Sequence, residues 1–127
     1  MYACHCTDCQ KRSGSAFGLS MWVNHKAIEV TQGEPVLQET LTEDGRVRDL
    51  RVCPRCFTRL WSDPRPESHV AVVRGGTLDD TRWLRPVAHL WTRSAQPWFA
   101  FPDGVAKYET QPKNLLELVA LWRDRPQ

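Results

Sequence analysis

Alternating apolar and polar positions run through most of this chain and predict a mainly β protein. The clearest alternation lies in Ser15–Asn24, where Phe17, Leu19, Met21 and Val23 share one apolar face. Asp44-Gly45 indicates a hairpin, since both residues tolerate positive φ. Further strands are predicted over Ala27–Val30, Val36–Thr42, Arg46–Val52, Phe57–Ser62, Ser68–Arg74, Val87–Thr92 and Trp98–Phe101.

One helix is predicted, from Pro112 to Arg123. Its apolar residues recur at the i, i+3, i+4, i+7 spacing of a single helix face: Leu115, Leu118, Val119 and Trp122. Pro112 suits the first turn, and Pro126 lies just past the end. The predicted architecture is therefore mainly antiparallel β with one C-terminal helix, in a single domain spanning 1–127.

The composition narrows the class of protein. The chain has 127 residues, of which 41% are apolar and 25% charged, as is ordinary for a globular domain. Its net charge of +2 argues against wholesale binding to nucleic acid or to an anionic membrane. No apolar run approaches the ~20 residues that cross a bilayer. The first residues lack the pattern of a signal peptide, and we expect a cytoplasmic protein.

The five cysteines carry the candidate chemistry. Cys4, Cys6 and Cys9 form a Cys-x-Cys-x-x-Cys triplet, and Cys53 and Cys56 form a Cys-x-x-Cys pair. An odd number in two clusters argues against a closed set of disulfides. In a reducing compartment such clusters more often bind metal, and Zn²⁺ favours thiolate ligands. All five cysteines are therefore candidate zinc ligands.

The spacing alone leaves two ways to assign these ligands. In the first, one closed four-thiolate site is formed by Cys6, Cys9, Cys53 and Cys56, and Cys4 is not a ligand of it. Alternatively, the triplet holds one zinc with an open position and the pair belongs to another site. The competing interpretations are buried free cysteines or, for the pair, a redox dithiol.

The chain resembles the glutathione-dependent formaldehyde-activating enzymes, a family that shares its domain with centromere protein V and adopts an Mss4-like β-tent fold. The resemblance rests on motifs in a specific order, namely Cys4-His5-Cys6-Thr7-Asp8-Cys9-Gln10, Ser13-Gly14-Ser15, Val52-Cys53-Pro54-Arg55-Cys56 with Leu60, Gly75-Gly76-Thr77-Leu78-Asp79-Asp80, Pro86-Val87-Ala88-His89-Leu90-Trp91 and Gln96-Pro97-Trp98.

The resemblance implies the second assignment of ligands. Cys4, Cys6 and Cys9 would hold a catalytic zinc, whereas Cys53 and Cys56 would be half of a structural site. The family's other half is an upstream Cys-x-Cys that has no counterpart in this sequence. Phe57 also departs from the family, which usually has Gly after the knuckle. The implied activity is that of a carbon–sulfur lyase, which interconverts S-(hydroxymethyl)glutathione with glutathione and formaldehyde.

We therefore expect a zinc-dependent enzyme that acts on a glutathione, or other thiol, adduct of formaldehyde or a similar small aldehyde. A thiol would bind at the open position of the metal held by Cys4, Cys6 and Cys9. His5 is a candidate proton donor, against the alternative that it points to solvent. His89 is interpreted as partly buried packing rather than a ligand.

The alternative function is a zinc-stabilised module that binds nucleic acid or protein without catalysis. Arginines crowd the hairpin and the knuckle, and arginine there can contact phosphate. A solvated strand face is the preferred interpretation, and arginine would equally suit the carboxylates of glutathione. We also expect an exposed strand edge that a second copy of the chain would cover, giving a homodimer. The arginines are Arg46, Arg48, Arg51, Arg55 and Arg59.

Overall fold

A computed structural model describes residues 1–64 and 69–126, and within these ranges the chain forms eight strands and two α-helices. The strands are β1 (Tyr2–Cys4), β2 (Gly18–Asn24), β3 (Val36–Leu41), β4 (Val47–Val52), β5 (Arg59–Pro64), β6 (Val70–Arg74), β7 (Ala88–Leu90) and β8 (Ala106–Tyr108). The helices are α1 (Thr7–Ser13) and α2 (Leu116–Arg123). The predicted mainly β fold class is confirmed.

The chain divides into two compact units. The first consists of Met1–Ser20 together with Asp80–Gln127, and the second of Met21–Asp79. The single domain over 1–127 stays a prediction, because the division into compact units does not test it.

The second unit is built on an antiparallel meander. β3 and β4 pair from Val36↔Val52 to Leu41↔Val47, and Gly45 in their connection has a φ of 82°. The hairpin predicted from Asp44-Gly45 is therefore confirmed. β4 then pairs with β5, and β5 with β6, both antiparallel.

The strands of the first unit are mixed in direction. β1 pairs with β2 antiparallel and with β7 parallel, and β7 pairs with β8 parallel. The prediction was a mainly antiparallel β architecture, and these two parallel pairings are the exceptions to it. Parallel neighbours need long crossover connections, and the register Ala3↔His89 joins residues far apart in sequence. The fully buried Ala3, Ala88 and Leu90 place the core of this unit at β1 and β7.

Two predicted strands are not formed. Within Ala27–Val30, Ala27 ends a 3-10 turn, and residues 28–30 lie in no strand. Residues 98–101 likewise lie in no strand, and a turn begins before them in which the Phe99 amide donates to the Gln96 carbonyl at 2.9 Å. Pro97 occupies the position of that turn which its fixed φ favours. The strand of this region is β8, which the alternation did not indicate.

Other predicted strands are present in the structure but differ from the prediction in their bounds or in the face that is buried. Phe57 lies before β5, with a φ of 60° that no strand accepts. Ser68, the first residue of another predicted strand, lies outside the described residues. In β2 the buried positions are Gly18 and Ser20, so the predicted apolar face is not the more buried one.

The C-terminal helix is confirmed, but it is shorter than predicted. It begins at Leu116, whose backbone amide donates a hydrogen bond to Oδ1 of Asn114 at 3.0 Å. The predicted apolar face is only partly buried, since Leu118 is 4% exposed and Val119 51%.

Candidate metal centre

Cys4 ends β1 and is held by strand pairing on both sides. It lies opposite Gly18 of β2 and Leu90 of β7, and it is 7% exposed. The next amide, that of His5, donates to the Leu90 carbonyl at 2.9 Å. These bonds fix the backbone where the chain leaves the sheet, so the Cys4 thiol is rigidly placed.

Cys6 and Cys9 are positioned by α1, a helix that the sequence analysis missed. Cys6 is its N-cap residue, and its Sγ accepts from the Cys9 amide at 3.4 Å. Gly14 ends the helix in the left-handed conformation, with a φ of 62°, and its amide donates to the Gln10 carbonyl. The helix that Cys6 caps therefore carries Cys9 in its first turn.

The three thiols form a cluster that could hold a metal ion. Their sulfur atoms all lie within 4.8 Å of one another, and the Cys4 and Cys6 sulfurs are 3.5 Å apart. Zn–S bonds of about 2.3 Å in tetrahedral geometry place sulfurs about 3.8 Å apart. The donor set therefore fits zinc in both chemistry and size. Within 1–64 and 69–126 this is the one group of three or more such ligands.

The electrostatics of the cluster agree with a site that needs a cation. Hydrogen bonds that the Cys4 thiol makes to the Cys6 and Cys9 side chains, followed by burial, raise the pKa of Cys4. Adjacent thiolates repel one another and are poorly solvated, so the thiols hold their protons. A coordinated divalent cation reverses this preference, because it stabilises the thiolate directly.

His5 lies between two of the thiols but turns into the protein. It is fully buried, and its Nε2 lies 2.8 Å from Nδ1 of His89, which is 4% exposed. The alternative that His5 points to solvent was therefore wrong. Burial lowers the pKa of His5, and burial together with the charges of His5 and Lys107 lowers the pKa of His89 to about 4. Both rings are then neutral at neutral pH, and one donates to the other.

Three phenylalanines surround the histidine pair. The His5 ring centroid lies 5.3 Å from Phe17, 4.9 Å from Phe99 and 5.3 Å from Phe101. His5 Nδ1 is buried without a hydrogen-bond partner among the described residues. Nothing in the sequence indicates that these rings lie near the triplet, and Phe99 and Phe101 fall in a region that was predicted to be a separate strand.

Gln10 ties the cluster to a distant part of the chain. Its Nε2 donates to the His5 carbonyl at 2.6 Å and to the Ser94 carbonyl at 2.7 Å. Its Oε1 accepts from Gln96 Nε2 at 2.7 Å. We call Gln10, Ser94 and Gln96 the glutamine clamp. The clamp bonds to the His5 carbonyl, in the turn between β1 and α1, and so it braces the segment that carries the thiols.

Cys53 and Cys56 lie in the second unit, in a tight knuckle before β5. The Phe57 amide donates to the Cys53 carbonyl, and the Cys53 amide to the Thr58 carbonyl, both at 2.9 Å. Hydrogen bonds from Thr58 and then from Cys53 lower the pKa of Cys56. The knuckle therefore presents two thiols on one turn, as expected of half a metal site.

The arginines of the second unit are partly used within it. Arg46 pairs with Asp44 at 2.6 Å, and Arg51 lies 3.6 Å from Asp63. These contacts agree with the preferred interpretation of a solvated, ion-paired strand face. Within the described residues, no helix is long and apolar enough to cross a bilayer.

The fold and site define a small, mainly β protein with a cysteine cluster able to hold a metal ion. A family model described as glutathione-dependent formaldehyde-activating enzyme matches residues 1–94, so the chain belongs to that family. Comparison with curated proteins finds no match. The family membership expected from the motifs is confirmed, and it supports a role related to glutathione and formaldehyde.

Proposed function

We propose that Cys4, Cys6 and Cys9 hold a catalytic zinc ion, and that the protein joins a small thiol to formaldehyde or a similar aldehyde, reversibly. Glutathione is the proposed thiol, and the activity is that of a carbon–sulfur lyase. The observation that carries the proposal is the cluster of three sulfur atoms within 4.8 Å. Three protein ligands leave a tetrahedral ion one position for a substrate.

The reaction needs no oxidant and balances between its two reactants. In the direction of synthesis a sulfur–carbon bond forms, the carbonyl π pair moves to oxygen, and the thiol proton ends on that oxygen. Cleavage reverses each of these changes. Zinc, when bound, supplies stabilisation of the substrate thiol as a thiolate, which is the nucleophilic form.

The chain's own residues would orient and shield this chemistry. Cys6 and Cys9 are partly exposed whereas Cys4 is buried, which supports approach of a ligand from the side of α1. The glutamine clamp would hold the three thiols in the arrangement that binds the metal ion. Among the described residues the His5 ring has its hydrogen bond with His89, so we assign it to positioning rather than to proton transfer.

We also propose that Cys53 and Cys56 bind metal as half of a structural site. The knuckle geometry, with both thiols on one turn, supports this assignment. Their role would be separate from substrate binding. The pair therefore provides the matched control for the triplet.

The decisive experiment measures zinc per chain, glutathione binding and the rate of formaldehyde–glutathione exchange above the uncatalysed rate. We expect Cys6→Ser to lose zinc from the triplet and to abolish glutathione binding and the exchange activity. Cys56→Ser should leave glutathione binding at the triplet unchanged. Unchanged zinc content and thiol binding in Cys6→Ser would refute the proposed site. A zinc-loaded wild-type protein without exchange activity would instead favour the binding module without catalysis.

A further inference from the structure

A second site lies in the first unit, between α2 and the segment that precedes β7. It is a cavity of about 640 Å³, within the range of small-molecule pockets. Val87, Val105, Ala120 and Leu121 contribute its apolar wall. Most of its lining follows residue 94, where the family match ends. The family assignment therefore does not account for this cavity.

Two arginines at the cavity are held in place by backbone carbonyls. Nη1 of Arg85 donates to the carbonyls of Arg82 and Leu84, both at 3.0 Å. Nη1 of Arg125 donates to the Trp122 carbonyl, and its guanidinium lies 3.4 Å from the centroid of the Trp122 ring. Guanidinium groups fixed in this way lose little side-chain entropy when they bind a ligand.

Neither guanidinium has an acidic partner in the part of the chain that the structure describes. Arginine has five donor hydrogens, and the two on Nη1 of Arg85 point to carbonyls. Its Nε and Nη2 form the edge that matches a carboxylate through two parallel bonds. Arg85 and Arg125 therefore offer the cavity two preorganised anion-binding edges.

The acidic residues of the cavity wall are already engaged. Glu117 accepts the Tyr108 hydroxyl at 3.0 Å. Asp124 accepts from Nε and Nη2 of Arg123 at 2.7 and 3.2 Å. The two guanidinium groups are thus the groups of the wall with donor hydrogens left for an anionic ligand, while much of the remaining wall is apolar.

We propose that this cavity binds a small amphipathic monocarboxylate, such as a medium-chain fatty acid. The apolar body lies against Val87, Val105, Ala120 and Leu121, and the carboxylate lies at the guanidinium groups. Burial of an apolar chain supplies affinity, and the charge-assisted hydrogen bonds select the carboxylate over a neutral head group. This site is independent of the zinc chemistry proposed for the cysteine triplet.

The test is calorimetric titration of the full chain with decanoate below its micelle concentration. We expect saturable binding at one site per chain. Methyl decanoate and decanol, which keep the chain but lack the charge, should bind about ten- to a hundredfold more weakly. Glutathione, which has carboxylates but no apolar chain, should not displace decanoate. This comparison uses the wild-type protein alone. Equal affinity for decanoate and decanol would overturn the proposal, as would displacement by glutathione.

Variants then locate the site. Arg85→Gln and Arg125→Gln should each weaken decanoate binding about tenfold or more, and Ala120→Phe should fill the cavity and remove binding. Arg82→Gln is the matched control, since the Arg82 side chain is 90% exposed and pairs with Asp80. Circular dichroism would verify that each variant folds. Unchanged affinity in a folded Ala120→Phe protein, or in both folded cavity arginine variants, would show that decanoate binds elsewhere.

Discussion

Replacing Gln10 by Ala is expected to loosen the turn that carries Cys6 and Cys9. The Gln10 side chain makes three hydrogen bonds, two to the carbonyls of His5 and Ser94 and one from Gln96. These bonds connect the first residues of the chain to a segment more than eighty positions away. Their loss removes the main polar link between α1 and that segment.

The magnitude follows from these contacts. A typical hydrogen bond contributes about 0.5–1.5 kcal/mol net, so three bonds give about 2–4 kcal/mol. The His5 carbonyl keeps one partner, because Ser94 Oγ donates to it at 3.0 Å. We therefore expect Gln10→Ala to lower the free energy of unfolding by about 2–3 kcal/mol. Because it also relaxes the arrangement of the thiols, zinc affinity should fall about tenfold or more.

Denaturant unfolding of the metal-free protein and competitive zinc titration measure the two effects separately. Gln38→Ala is the control, because Gln38 lies on the exposed strand β3. A double-mutant cycle of Gln10→Ala with Gln96→Ala should give a coupling of about 0.5–1.5 kcal/mol. A loss of stability below about 0.5 kcal/mol in Gln10→Ala would refute the clamp, and so would equal zinc affinity in the variant and the wild type.

Three further predictions concern the core, a titrating group and a strained residue. Leu90→Ala should lower the free energy of unfolding by about 2–5 kcal/mol in denaturant titration, because Leu90 is fully buried. A loss below 1 kcal/mol would contradict this. The pKa of His89, lowered to about 4 chiefly by burial, is below its unfolded value near 6.5, so the unfolded chain binds the proton first on acidification. The free energy of unfolding should therefore fall by up to about 3 kcal/mol between pH 6.5 and 4, and His89→Asn should make this pH dependence flatter. An equally steep pH dependence in the variant would show that other groups cause the loss of stability. Phe57 has a φ of 60° and is 80% exposed, so Phe57→Gly should be more stable than Phe57→Val by about 1–2 kcal/mol, and equal thermal midpoints would refute strain there.

What could be predicted from the sequence was local. The β3–β4 hairpin follows from a turn dipeptide between two alternating runs. Three cysteines within six residues indicate a thiol cluster, but their spacing left a shared site with Cys53 and Cys56 open, and the family resemblance chose the triplet. α1 was missed because Thr7–Ser13 is polar except for Cys9 and so has no apolar periodicity. Its helix depends on the Cys6 cap and the left-handed Gly14, which only the folded backbone reveals.

The long-range part of the candidate site left no signal in the sequence. His5 and His89 are 84 positions apart, and their contact depends on the parallel pairing of β1 with β7. The clamp contacts of Gln10 depend on the same pairing. Neither periodicity nor spacing specifies which distant strands become neighbours, so the pair and the clamp were found only in three dimensions.

The closeness of Cys4, Cys6 and Cys9 in sequence affects how metal binding couples to folding. A ligand stabilises a protein only by the ratio of its affinities for the folded and unfolded chains. An unfolded chain already holds these three thiols within six residues of one another, so it would retain affinity for the zinc ion proposed here. Chelation should therefore lower the melting temperature less than the affinity of the folded protein would imply. During synthesis the emerging chain would be able to bind the proposed ion before Ser94 or His89 has left the ribosome.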